Sequence, residues 1–99
     1  MQASILSCLS GTTKNNPIKR KDLCLLTGLT DRKVRAEIAT LQSSGVAVVS
    51  LSAGYFFGTR EEVEAYKRRE MHRAFSLLSK LKRMFPDFQE VARQLKLEI

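Results

Sequence analysis

A mostly α fold with one small β-hairpin is what the sequence predicts, and three observations carry the prediction. Apolar residues recur at helical spacing over Asp31–Ser44 and again, at greater length, from Thr59 to about Phe85. Two short β-branched and aromatic runs, Val46–Val49 and Tyr55–Phe57, lie among glycines. Gly28, Gly45, Gly58 and Pro86 fall where elements should end.

The elements follow in order. Ile5, Leu6, Cys8 and Leu9 fit a short first helix with one buried face. Gly11 to Pro17 has loop composition, and Pro17 keeps Asn16 out of the helical region. Ile18 alone can make no more than a bridge-length strand. Lys19–Thr27 reads as a helix with Leu23 and Cys24 inward, ended by Gly28 in a left-handed cap. Thr30 is a good N-cap for the next helix, with Asp31 in its first turn, favoured by the helix dipole. That helix is apolar at Val34, Ile38 and Leu41 and polar elsewhere. Val46–Val49 and Tyr55–Phe57 then form the hairpin, with the turn at Leu51–Gly54 and some of the aromatics in the core. Thr59 and Glu62 make a capping box for a long helix. Pro86 breaks it, and Asp87–Leu97 forms a last helix with Phe88, Val91 and Leu95 inward. The domain organisation expected is 1–58 as one domain and 59–99 as a helical extension.

Composition narrows the function classes. The chain of 99 residues is 43% hydrophobic and 27% charged, as a globular domain should be. No apolar run reaches the roughly 18 residues of a membrane span, and no signal peptide is visible at the start, so a soluble cytoplasmic protein with no membrane partner is expected. Cys8 and Cys24 form no zinc spacing and read as small core residues. His72 is the only His and sits in a basic, polar stretch. No HExxH, GxSxG, P-loop or GxGxxG is present. No metal, no cofactor and no enzymatic activity are expected.

Charge is the unusual feature. The net charge is +7, which suits an acidic partner. Lys14 to Arg35 holds seven bases against two acids, a net +5, and Lys67 to Arg83 holds seven against one, a net +6. Two basic surfaces on a nearly neutral body are implied.

The element order is that of a winged helix-turn-helix followed by a long C-terminal helix and a short last helix. In such a unit the second helix enters the major groove, so its outward side must be polar. Thr30, Arg32, Lys33, Arg35 and Ala36 supply that side, and Lys19, Arg20 and Lys21 stand at the preceding helix start, where phosphates would lie. The stretch Leu29–Val46 resembles the recognition-helix-to-wing stretch of GntR- and MarR-like bacterial regulators, through Val34-Arg35, Leu41 and Gly45. Residues 5–85 are similar to small phage and prophage proteins of Gram-positive bacteria. Lys21-Asp22-Leu23, Thr27–Arg35, Gly54-Tyr55-Phe56 and the basic helix after Thr59 carry that likeness.

The resemblance implies a DNA-binding phage or prophage regulator of transcription, with groove contacts from Arg32, Lys33 and Arg35. The hairpin turn departs from the pattern, having no Arg or Lys. That raises a second reading, an adaptor in phage replication or host takeover that binds an acidic host or phage protein. RNA or single-stranded DNA is a weaker third, because stacking platforms need exposed aromatics. The long helix adds a partner of its own. Met71, Ala74, Phe75, Leu78, Leu81 and Phe85 form one apolar stripe on a helix about 37 Å long, more than a small domain can cover. A second copy of the chain, making a homodimer, is expected to pack there. The alternative is the last helix folding back across Pro86.

Overall fold

The computed structural model describes residues 3–96. Five helices and one hairpin follow in chain order: α1 (Ile5–Leu9), α2 (Arg20–Thr27), α3 (Asp31–Ser43), β1 (Val48–Leu51), β2 (Gly54–Phe57), α4 (Arg60–Met84) and α5 (Phe88–Gln94). Helix accounts for 62% of the described residues, and the two strands pair antiparallel. The chain divides into two compact units at Tyr66/Lys67, inside α4.

In the first unit Ile5, Leu9, Leu23, Val34, Ile38, Val48 and Tyr55 form the buried core, with Cys8, Cys24, Leu41 and Phe57 half-buried around it. Burial of α3 through Val34 and Ile38 follows the expected spacing. Pairing Val48 with Phe57 and Ser50 with Tyr55 turns one hairpin face onto this core. Val49 and Phe56, on the other face, are also buried. Val49 and Val63 of α4 both lie close to Gly58, where an added Cβ would stand 2.7 Å from Val49 Cγ2 and 3.2 Å from Val63 Cγ2.

Local signals account for most element ends. Ser4 caps α1 through Ser7 N. Gly28 takes a left-handed φ of 73° and its N–H donates to Cys24 O. Thr30 Oγ1 accepts from Lys33 N at 3.2 Å. Thr59 and Glu62 form the reciprocal box, Glu62 N to Thr59 Oγ1 at 3.2 Å and Thr59 N to Glu62 Oε1 at 2.8 Å.

Two expectations are corrected. The first strand starts at Val48 rather than Val46, because Val46 N donates back to Leu41 O and finishes the end of α3. Leu95 is exposed rather than inward, because α5 ends at Gln94. The expected helix end at Leu97 lies outside the described residues.

In the second unit Ala92 is buried, while Leu78, Leu81, Phe88 and Val91 are half-buried. Met71 and Phe75 are each 60% exposed, and Phe85 is exposed. Leu77 and Met84, which lie outside the expected stripe, are exposed as well. No helix among the described residues is long and apolar enough to cross a membrane.

Candidate nucleic-acid interface

The candidate interface is built by one backbone bridge. Ile18 N donates to Tyr55 O at 2.9 Å and Tyr55 N to Ile18 O at 2.8 Å, so the residue before α2 is pinned to β2. Lys19 follows directly and occupies the N-cap position of α2 without a side-chain capping bond. The bridge needs Gly54. Its φ is +138°, and a Cβ there would stand 2.5 Å from Ile18 O. The helix start therefore lies beside the hairpin turn, and Lys19, Arg20, Ser50, Ser52 and Tyr55 line one open cleft.

From Arg20 the chain runs through α2 to a three-residue turn. Buried Thr27 steadies it, donating to Leu23 O at 2.6 Å and accepting from Leu29 N at 3.2 Å. This turn sets α3 across α2 and brings Asp31 to Arg20. The Asp31 carboxylate then serves two arginines. Its Oδ1 accepts from Arg20 Nε, and its Oδ2 is 3.1 Å from Arg35 Nε, one turn further along α3. The Tyr55 hydroxyl first, and Asp31 second, push the Arg20 guanidinium above its ordinary range, so it stays charged at any working pH.

Thr30, Arg32, Lys33, Arg35 and Ala36 are all exposed on α3, as are Lys19, Arg20 and Lys21 on α2. The ion pair brings Arg20 and Arg35 together around Asp31. Arg32 begins an outward line continued by Ala36, Ala39 and Ser43, all exposed. Beyond its first turn this face is narrow, which lets the helix axis approach a partner closely.

Two members of this cluster were not assigned to it from sequence. Asp31 reads as a dipole residue and Tyr55 as core. The spacing of Asp31 and Arg35, i and i+4, is a usable signal for the first pair. Nothing local signals Arg20, which the fold brings in from eleven positions away.

The C-terminal unit carries the second basic surface. Arg68, Arg69, Lys80 and Arg83 are exposed, Arg73 pairs with Glu70 at 3.1 Å, and Lys82 Nζ lies 5.8 Å from the Phe88 ring centroid. Such exposed contacts contribute little stability, at most about 1 kcal/mol each. Their weight lies in surface charge. Among the described residues no three His, Cys, Asp or Glu side chains gather as a metal site would need. Comparison with protein families, with curated proteins and with solved structures returns no match to this chain.

Proposed function

We propose that this chain is a sequence-specific double-stranded DNA-binding protein of winged helix-turn-helix type, a phage or prophage regulator of transcription. In this reading α3 enters the major groove, Arg32, Lys33 and Arg35 reach base edges, and Lys19, Arg20 and Lys21 hold phosphates. One observation carries it. Exposed Arg20 of α2 and Arg35 of α3 are joined around Asp31, and the outward line of α3 beyond Arg32 carries the small residues Ala36, Ala39 and Ser43. A major groove is about 12 Å wide and accepts such a helix, and an Arg fork on guanine is its commonest specific contact.

The exposed Met71 and Phe75 of α4 support a homodimer as the assembled form. The uncharged hairpin turn favours one second reading, a protein-interaction adaptor on the same scaffold.

Selection of bound duplexes from a random pool, followed by Arg32→Ala and Arg35→Ala, separates the two. For a groove reader each variant should relax preference at a particular base position, by about 1–3 kcal/mol. Unchanged affinity and preference in both folded variants would hand the site to the adaptor reading.

A further inference from the structure

We infer that Asp31 determines how selectively the α3 arginines read DNA, by positioning Arg35 and by repelling phosphate. The inference rests on the DNA-binding reading above.

A half-exposed carboxylate on a surface meant for a polyanion weakens binding, and α3 does not need it as a cap. Thr30 already caps α3 through Lys33 N. Among the described residues Asp31 pairs with Arg20 and Arg35. Both guanidiniums meet it through Nε. A guanidinium has five N–H donors, one of them on Nε. The Nη atoms of Arg35, with the other four, are therefore left for a ligand, and its side chain is 59% exposed. Arg35 is thus paired to Asp31 at its Nε, in an exposed ion pair at 3.1 Å.

Two effects follow from the same carboxylate. Pairing Arg35 with Asp31 before DNA arrives removes part of the ordering cost of a bidentate contact, so binding to the right base is favoured. The negative charge meanwhile opposes contacts that depend on phosphate alone, which is how non-specific DNA is bound. Both raise the ratio of specific to non-specific affinity.

Arg20 completes the arrangement from α2. Paired with Asp31 and lining one cleft with Tyr55, it ties the phosphate-facing helix start to the base-facing helix. A single carboxylate thereby sets the relative register of the two kinds of contact.

The test uses the full chain, a duplex selected by the wild type and a random duplex of equal length. Asp31→Asn keeps the side-chain shape and removes the charge. We expect its affinity for random duplex to rise at least threefold, while preference at the base read by Arg35 falls about tenfold. Asp31→Glu, which keeps the charge, should leave random-duplex affinity at the wild-type level. Thermal melting shows whether each variant remains folded. Equal strengthening of both duplexes by Asp31→Asn would make Asp31 a plain charge and overturn the inference, leaving the DNA reading intact. A wild type that binds neither random nor pool-selected DNA would overturn both.

Discussion

The Thr12 hydroxyl accepts a hydrogen bond from Phe57 N at 3.0 Å, across 45 positions of sequence, and donates its own proton to Leu9 O. One small side chain therefore joins the end of α1 to the last residue of β2. Thr12→Val keeps the shape but leaves a half-buried N–H and C=O without that partner. The expected loss is about 1–3 kcal/mol. Urea unfolding should register it as a lower midpoint at unchanged slope, with Thr12→Ser recovering most of it.

Gly54 offers a second stability test because steric and conformational penalties can be separated. Gly45→Ala meets an unfavourable φ of +88° but no atom within 4 Å, whereas Gly54→Ala meets φ +138° and Ile18 O at 2.5 Å. Strained backbone alone costs about 1–3 kcal/mol. Gly54→Ala should therefore be clearly the more destabilising of the two in thermal melts, and it should also weaken duplex binding by displacing Lys19 and Arg20. Equal effects in the two variants would contradict the close approach at the bridge.

Salt dependence tests the phosphate contacts. Log affinity for duplex should fall with log salt at about −0.9 per phosphate neutralised. Lys19→Ala and Lys21→Ala should each flatten the slope by about one, leaving base preference alone. Fluorescence anisotropy at a series of salt concentrations gives the slope directly; a salt-independent affinity is incompatible with the DNA reading.

Assembly is tested at Phe75, which is exposed, and at Leu78, which is half-buried within its own unit. Phe75→Glu should convert a dimer to a monomer by light scattering while circular dichroism keeps its helical signal. Leu78→Glu should do the same and in addition lower the melting temperature. A wild type that stays monomeric at high concentration removes the dimer from the proposal.

What the sequence made legible was what neighbouring residues decide. The Thr59–Glu62 box, the Gly28 cap and the Thr30 cap depend on side chains reaching backbone a few positions away. The Val34–Ile38 face was equally plain from its spacing. The strand start was not, because Val46 is β-branched yet its N–H belongs to the end of α3. At the candidate site the individual bases were readable. Their gathering around Asp31 was not, since it depends on the angle of the Gly28–Thr30 turn and on a bridge between Ile18 and β2.

Gln42 Nε2 donates to the Tyr66 hydroxyl at 3.3 Å and to Val48 O at 3.1 Å, holding the end of α3, the hairpin and the first turns of α4 together. The chain has two tyrosines and no tryptophan. One phenol sits in this junction and the other lies beside Arg20 under the basic surface. Tyrosine emission from the unlabelled protein thus comes from two places only, the Gln42 junction and the neighbourhood of Arg20. Tyr66→Phe would silence the hydroxyl-dependent part at the junction and leave Tyr55 as an optical reporter of events around Arg20, without any dye attached.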